Sequence, residues 1–261
     1  MSKFCSLFSS SSANSTYISS SGGAILVDAG NSAKQILLSC QNHGLETDGI
    51  KAIFVTHEHS DHVKGVRVLA KNLGVPIYAT AQTIMAMRSK NIVDDKTELI
   101  PIDSSGAQAG GMKVVPFSTP HDSADSVGYN IFLPDGRKIS ICTDLGVVTD
   151  SVFQAIDKSD LILLESNHDI TMLKYGPYDP ALKRRILSQF GHLPNTECAE
   201  TALKLLESGT TRFVLGHLSR QNNTPKKAYE ETKRAFSSIG AEENFDYTLT
   251  VATDDNEIIR I

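Results

Sequence analysis

A dense group of possible metal ligands, the segment His57-Glu58-His59-Ser60-Asp61-His62, most constrains how this chain can fold. It follows directly on an apolar run, Ile50 to Val55, which predicts a buried β-strand. His57 and His59 project to one side of an extended chain because side chains alternate along it. Asp61 and His62 lie where the next helix would begin, so they can turn back toward the same point. Borderline metals accept imidazole nitrogen and carboxylate oxygen, and the segment therefore predicts a metal site at the exit of a buried strand.

Three later apolar or β-prone runs each end just before a further possible ligand. The runs are Val114 to Thr119, Ile139 to Thr143 and Phe213 to Gly216, and the residues beyond them are His121, Asp144 and His217. Taken singly, a histidine after a strand is more often a hydrogen-bonded surface or core residue. Ligands at strand exits on one edge of a core meet in space, however, so we expect these residues to converge on the first group.

The seven candidate ligands divide into two coordination shells. We expect His57, His59 and His121 to hold one ion, and Asp61, His62 and His217 to hold the other. Asp144 would bridge them, because a carboxylate can ligate two ions and an imidazole cannot. Mixed shells of this kind suit Zn²⁺, Mn²⁺ and Fe²⁺ alike. The sequence thus predicts two divalent transition-metal ions and leaves their identity open.

Alternating strand and helix patterns predict a layered α/β protein with sheets inside and helices outside. The serine-rich start of the chain is interpreted as a loop that leads into strands at Thr16 to Ile18 and Ala24 to Asp28. Helices are predicted near Val63–Leu73, Thr80–Met87, Pro180–Phe190, Thr196–Leu206 and Pro225–Phe236. With 261 residues, of which 40% are apolar, the chain can bury one large core, so we expect a single domain over residues 1–261.

The same composition bears on location and redox chemistry. No apolar run approaches the roughly 18 residues of a membrane helix, and Met1 to Ser12 lacks the layout of a secretory signal. We therefore expect a cytoplasmic protein without membrane contact. The four cysteines form no Cys-x-x-Cys pair, which argues against a disulfide framework and against a zinc ribbon.

The charge balance gives no global attraction to nucleic acid. The formal net charge is −5 at pH 7, so a polyanionic substrate would need a local basic patch. Lys183, Arg184 and Arg185 are the main candidates for such a patch. A solvated helix face explains the same three charges equally well.

The segment His57 to His62 resembles the His-x-His-x-Asp-His signature of the metallo-β-lactamase superfamily, whose later ligands match His121, Asp144 and His217 in order. Further segments resemble its bacterial YycJ/WalJ-like branch: SSSSANSTYI, THEHSDHVKGV, LESNHD, LKRRI and HLSRQNNTP. The superfamily resemblance implies a four-layer αββα sandwich with the site at one edge of the two sheets. The resemblance to the branch implies 5′-to-3′ exonuclease activity and a role in DNA repair.

A dinuclear centre of this kind is expected to attack phosphorus or a carbonyl carbon with a metal-bridging hydroxide, which Asp61 positions and deprotonates. The same centre can cleave phosphodiesters, thioesters or lactams, so the branch resemblance decides the substrate. It favours DNA. An RNA-end-processing nuclease and a (thio)ester hydrolase of the glyoxalase II type are the alternatives, and the intact Asp61 argues against a non-catalytic metal-binding scaffold. The sequence implies no obligate protein partner.

Several residues outside the ligand set are candidate substrate contacts. His168 and Glu165 follow the apolar run Leu161 to Leu164, so either can lie near the metals, although a capping histidine paired with the glutamate is equally compatible. His192 is expected to contact substrate phosphate or simply to shape a turn before proline. The remaining candidates, assigned to substrate binding or to ordinary surface structure, are Asn14, Lys183 and Arg184.

Overall fold

Two β-sheets form the centre of the molecule, which a computed structural model describes over residues 2–253 and 258–261. The strands in chain order are β1 (Lys3–Ser10), β2 (Ala13–Ser20), β3 (Gly23–Val27), β4 (Ile50–Phe54), β5 (Ile77–Ala79), β6 (Leu99–Pro101), β7 (Ala107–Ala109), β8 (Met112–Ser118), β9 (Val127–Phe132), β10 (Lys138–Cys142), β11 (Leu161–Glu165), β12 (Arg212–Gly216), β13 (Thr248–Val251) and β14 (Ile259–Arg260). Within these ranges the first sheet has the order β14-β1-β2-β3-β4-β5-β6, and the second has the order β13-β12-β11-β10-β9-β8-β7.

Strand direction brings several strand exits to one edge. In the first sheet β3, β4, β5 and β6 are parallel. In the second sheet β10, β11, β12 and β13 are parallel. Because β9 is antiparallel to both β8 and β10, β8 runs in the same direction as β10. The exits of β8, β10, β11 and β12 therefore lie at the same edge of the second sheet.

Helices cover the outer face of each sheet. They are α1 (Ala33–Asn42), α2 (Ser60–Val63), α3 (Val66–Leu73), α4 (Ala81–Ser89), α5 (Asp150–Ile156), α6 (Ile170–Tyr175), α7 (Pro180–Ile186), α8 (Asn195–Glu207) and α9 (Pro225–Ser237). Side-chain caps fix several of their starts, since Thr80, Thr149 and Thr224 each accept a hydrogen bond from a backbone N–H in the first turn.

Three apolar clusters hold the layers together. Phe54 and Tyr129 belong to the cluster between the two sheets, where their rings meet edge to face with centroids 5.6 Å apart. A second cluster packs the first sheet on α1, α3 and α4 through residues such as Ile53. A third packs the second sheet on α5, α8 and α9 through residues such as Phe213. The αββα sandwich predicted from the sequence is thus confirmed.

The prediction for the serine-rich start was wrong. Lys3–Ser10 forms strand β1, not a loop, and pairs with β2 on one side and with β14 on the other. Its small serine side chains pack where a central strand needs little volume, since Ser6, Ser9 and Ser10 are all buried. The helix predicted over Pro180–Phe190 ends at Ile186, and β6, β7 and α6 are short elements that the sequence pattern did not indicate.

Within the described part of the chain, none of the helices is both long enough and apolar enough to cross a membrane.

Candidate metal centre

The seven candidate ligands converge at the common edge of the two sheets. The first four follow β4 and lie at the start of α2, whereas the other three follow β8, β10 and β12. Ligand atoms of His57, His59 and His121 all lie within 4.8 Å of one another, and the same holds for those of Asp61, His62 and His217. The structure therefore brings the members of each expected set together, although other groups overlap with them, such as His121, Asp144 and His192.

Asp144 lies between the two sets. Its Oδ2 atom is 3.1 Å from His217 Nδ1 and 3.4 Å from His62 Nε2, and its Oδ1 atom is 3.9 Å from His121 Nε2. The two carboxylate oxygens thus face different sets of ligands. This placement fits a carboxylate that bridges two ions.

The backbone at these strand exits adopts an unusual conformation. Asp144 and His217 have positive φ angles of 60° and 55°, in the left-handed region that costs a non-glycine residue free energy. Hydrogen bonds hold His217 there, because its N–H donates to Ser9 Oγ at 2.8 Å and its carbonyl accepts from Asn167 Nδ2 at 2.8 Å. The strain keeps both side chains turned toward the cluster.

Unpaired polar atoms show that the site fits a cation. Among the described residues, no hydrogen-bond partner is found for the buried His121 Nε2 and His217 Nε2 atoms, and the buried His217 Nδ1 and Asp144 Oδ2 atoms face each other at 3.1 Å without the geometry of a hydrogen bond. Buried polar atoms are otherwise almost always paired. Imidazole and carboxylate groups without partners are the donor set that a divalent transition metal accepts.

Charge is distributed unevenly over this site. Burial opposes protonation of His217, but the carboxylate of Asp144 outweighs it and raises the pKa of His217 to about 9. Burial likewise opposes protonation of His62, yet nearby carboxylates, Asp144 first, raise its pKa well above the usual range. Burial lowers the pKa of His57 and of His121. A bound cation must therefore displace protons mainly on the His62 and His217 side.

Asp28 contacts a candidate ligand, and the sequence interpretation missed it. Its Oδ2 atom is 2.8 Å from His62 Nδ1, and its Oδ1 atom accepts a hydrogen bond from Thr56 N at 2.8 Å. This fully buried contact orients the His62 ring so that Nε2 faces Asp61 and Asp144. Asp28 also has a positive φ, of 64°, and it follows β3. Asp28 directly follows the apolar run Ala24 to Val27, so the reasoning that identified His121, Asp144 and His217 would also have identified it.

Asn14, a candidate substrate contact, is buried against the cluster. Its Nδ2 atom lies 3.2 Å from Asp61 Oδ2, 3.1 Å from His62 Nε2 and 3.0 Å from the carbonyl oxygen of Ser10. The neighbouring backbone is tightly packed, since a Cβ atom at Gly30 would lie 1.6 Å from the carbonyl oxygen of Asp61. Asn14 is thus placed to orient Asp61.

Glu165 and His192 form a pair beside the cluster. Glu165 is fully buried; its Oε1 atom is 2.8 Å from His192 Nδ1, and its Oε2 atom accepts a hydrogen bond from Leu145 N. The ring centroid of His192 lies 5.1 Å from that of His121. His168 is also fully buried, and burial lowers its pKa to about 4. It is not among the residues that line the cavity over the cluster.

A cavity of about 220 Å³ opens over the cluster. Its wall includes His192, Ser11 of the β1–β2 turn, and Tyr178, Leu182 and Arg185 in or just before α7. A larger groove, about 1010 Å³ in volume, lies along α1 and α3, but no histidine lines it. The candidate ligands therefore lie at the smaller cavity and not along this groove.

The basic triplet divides among three different environments. Lys183 Nζ donates to the carbonyl oxygens of Lys174 and Gly176 at 2.9 and 2.7 Å, so this charge is used within the preceding loop. Arg184 is exposed and is not part of the cavity wall. Arg185 lines the cavity, and its Nη2 atom donates to Asp122 Oδ1 at 2.9 Å.

Comparisons with known proteins agree with this geometry. A family model described as "Beta-lactamase superfamily domain" matches residues 24–218. The chain is 36% identical over 230 residues to exodeoxyribonuclease WalJ of Streptococcus pneumoniae serotype 2, which covers 87% of this chain and 85% of that protein. It is 35% identical over 239 residues to exodeoxyribonuclease YycJ of Bacillus anthracis, which covers 91% and 90%. The crystal structure of the metallo-β-lactamase fold protein YhfI from Bacillus subtilis superposes with a TM-score of 0.73 at 19% identity, covering 99% of this chain and 98% of that chain.

Proposed function

Since the chain belongs to the metallo-β-lactamase superfamily, and within it to the family of the exodeoxyribonucleases WalJ and YycJ, we propose that it is a metal-dependent exodeoxyribonuclease. The observation that carries the proposal is the pair of ligand groups that meet at Asp144 with unpaired buried nitrogen and oxygen atoms. Relatives that match over most of the chain support DNA as the substrate. The proposal includes a role in DNA repair, which the resemblance to the YycJ/WalJ-like branch implies, and a cytoplasmic location, which we expect from the sequence.

The proposal assigns two divalent ions to the site. His57, His59 and His121 would hold one ion, Asp61, His62 and His217 would hold the other, and Asp144 would be shared between them. When bound, the ions lower the pKa of water and neutralise the charge that develops on a phosphate in the transition state. The chain's own contribution is to fix these ligands, chiefly through Asp28 and Asn14.

Asp61 and His192 are the residues that handle protons. Burial raises the pKa of Asp61, but the neighbouring His62 outweighs it and the net pKa is lowered, so Asp61 is ionised and can accept a proton from the attacking water. His192 lines the cavity with Nδ1 on Glu165, which leaves Nε2 to donate a proton to the leaving oxygen. The contact with the buried Glu165 carboxylate fixes the orientation of the His192 ring at the cavity.

The size of the cavity agrees with a phosphodiester of a polymer. Sites that enclose a whole small ligand usually measure about 300–1,000 Å³, whereas this cavity measures about 220 Å³. It accommodates the reacting phosphate while the rest of the substrate lies outside. RNA-end processing and (thio)ester hydrolysis are the competing activities, and a comparison of DNA, RNA and a small ester as substrates distinguishes among the three.

End-labelled single- and double-stranded DNA and RNA, digested side by side with Mn²⁺ or Zn²⁺, test the proposal. We expect release of nucleotides from DNA ends, and a loss of at least about 100-fold in Asp61→Asn, because the amide keeps the shape of the side chain but is both a poor proton acceptor and a weaker metal ligand than the carboxylate. Bis(p-nitrophenyl) phosphate is the small-ester control. Hydrolysis of this ester without cleavage of any polynucleotide would favour a small-molecule hydrolase, and preferential RNA cleavage would favour the RNA-processing alternative.

A further inference from the structure

A second cavity, about 480 Å³ in volume, borders the metal centre and is lined by basic side chains. His59, a candidate ligand of the first set, lies in its wall and also in the wall of the cavity over the cluster. Lys64 directly follows α2, Arg67 lies in α3, and Lys90 directly follows α4. All three line the second cavity, which we call the basic cavity.

Glu58 is the acidic residue in the described wall of the basic cavity, and its charge is already used. It is buried, and its Oε1 atom accepts a hydrogen bond from Lys90 Nζ at 3.1 Å. Both of its carboxylate oxygens are also 3.3 Å from the N–H donor of Ala124. Because Glu58 lies between His57 and His59 in the chain, this contact ties Lys90 to the ligand segment.

No acidic side chain in the described wall balances the charges of Lys64 and Arg67. In the part of the chain that the structure describes, Lys64 forms no ion pair. Arg67 Nη1 is 4.0 Å from Asp94 Oδ2, but both side chains are about half exposed and Asp94 lies outside the wall. Exposed pairs of this kind contribute little. The wall thus presents an excess of positive charge, in a chain whose formal net charge is −5.

We propose that the basic cavity binds a phosphate of the DNA strand other than the phosphate that reacts at the metals. This inference rests on the proposed nuclease function. Lysine and arginine side chains neutralise backbone phosphates, and such contacts position a strand without reading its bases. Ser60 and Asn91, both exposed in the same wall, add neutral hydrogen-bond donors. Since Arg185 lies in the wall of the cavity over the cluster, a strand that enters both cavities contacts cations in each.

Removal of two charges tests this phosphate site. Lys64→Gln/Arg67→Gln is compared with Lys51→Gln/Lys113→Gln, which removes two exposed charges near the starts of β4 and β8, at the sheet edge opposite the metal centre. The first double variant should lower kcat/KM on DNA on the order of tenfold and reduce the slope of its logarithm against log[salt] by about 1.5, because two phosphate contacts are lost. Hydrolysis of bis(p-nitrophenyl) phosphate should fall much less. The control variant should keep the salt slope of the wild type. Lys90 is left intact because its loss would leave Glu58 unpaired beside two candidate ligands.

Single neutral linkages locate the bound phosphate. Substrates carry one methylphosphonate linkage at successive positions beyond the scissile linkage, and a further pair of substrates carries or lacks the terminal phosphate. In the wild type, kcat/KM should drop at one position, which identifies either an internal linkage or the terminal phosphate as the group that is bound. Lys64→Gln/Arg67→Gln should no longer respond to that position. An equal drop at every position, or a drop that persists in this variant, would overturn the phosphate site and leave a DNA nuclease in place.

Binding separates failure of this inference from failure of the nuclease proposal. If the metal-loaded chain does not cleave DNA, the nuclease proposal fails, and the phosphate site is then tested by fluorescence anisotropy of an end-labelled single strand. Lys64→Gln/Arg67→Gln should bind that strand more weakly than Lys51→Gln/Lys113→Gln does. Equal affinities of the two double variants would overturn the phosphate site.

Discussion

Asp144 is the residue on which the dinuclear arrangement depends. It is buried, its two oxygens face different ligand sets, and its backbone is held in a left-handed conformation. Burial raises its pKa, but His217 and His62 outweigh that effect and the net pKa falls well below the usual range. The lowered pKa favours the ionised form of this carboxylate, which faces both ligand sets.

Metal content should follow from that position. We expect about two transition-metal ions per chain by elemental analysis after metal-replete purification, and a loss of both in Asp144→Ala because both shells share this carboxylate. His121→Ala should mainly weaken the ion of the first shell. A single tightly bound ion at saturating metal would contradict the dinuclear arrangement.

The pH dependence of metal binding follows from the pKa of His217. Its pKa of about 9 means that the metal-free site holds a proton below that pH, and binding must release it. Apparent affinity should therefore rise by about tenfold per pH unit for each displaced proton as pH increases toward 9, and then level off. Calorimetry in two buffers of different protonation enthalpy measures the released protons, and binding without proton release would contradict this charge assignment.

Individual ligands were predictable because they follow apolar runs that end at one edge of a sheet. His121, Asp144 and His217 each appeared in that way, and the structure brings them together with the first group, while their metal-binding role stays a prediction. Asp28 escaped because it was interpreted as the last residue of a strand. The contact of Asn14 with Asp61 is a long-range contact across 47 positions of the chain, which no local pattern can indicate.

Helix α7 shows how neighbouring charges on one element acquire different roles. Helical geometry points successive residues in different directions, so Lys183 reaches back to the preceding loop, Arg184 faces solvent and Arg185 reaches the cavity. The sequence alone could not divide the triplet, because the division depends on which face of α7 borders the cavity.

A matched pair of substitutions tests this division. Arg185→Gln should weaken DNA cleavage more than it weakens hydrolysis of a small phosphodiester, and should reduce the slope of log K against log[salt] by about 1, because one phosphate contact is lost. Arg184→Gln should have a smaller effect on both measurements. Equal effects of the two substitutions on affinity and on salt slope would instead support the interpretation of the triplet as a solvated helix face.

The start of the chain was the main error at the level of elements. Serine composition favoured a loop, yet β1 lies inside the first sheet and Ser9 Oγ supports the backbone of His217. Composition describes solvation of an isolated segment, whereas pairing with β2 and β14 supplies hydrogen bonds that local sequence does not show.

At the scale of the whole molecule, the two sheets and their helices bury all four cysteines. They are unpaired, and burial raises the pKa of Cys5 to about 12 and that of Cys40 to about 11. Cys142 and Cys198 belong to the cluster on the other side of the molecule. The thiols are therefore shielded in both outer layers.

Thiol reactivity should report global unfolding. A thiol-reactive disulfide reagent should leave the native protein essentially unmodified at neutral pH and react with all four cysteines in denaturant. In the native protein the buried thiols neither ionise to thiolates nor come into contact with the reagent. The count of released chromophore per chain measures this. Rapid modification of one cysteine in the native state would show that one layer opens locally.

The chain passes from the first sheet to the second between Pro101, where β6 ends, and Ala107, where β7 begins. Residues before this crossing supply His57, His59, Asp61 and His62, and residues after it supply His121, Asp144 and His217. In the proposed arrangement each ion takes ligands from both half-molecules, that is, from the residues before and after this crossing. Neither half-molecule supplies a complete coordination shell. Ion binding then depends on the association of the two half-molecules. Removal of the ions by a chelator should therefore make it easier for the two half-molecules to separate.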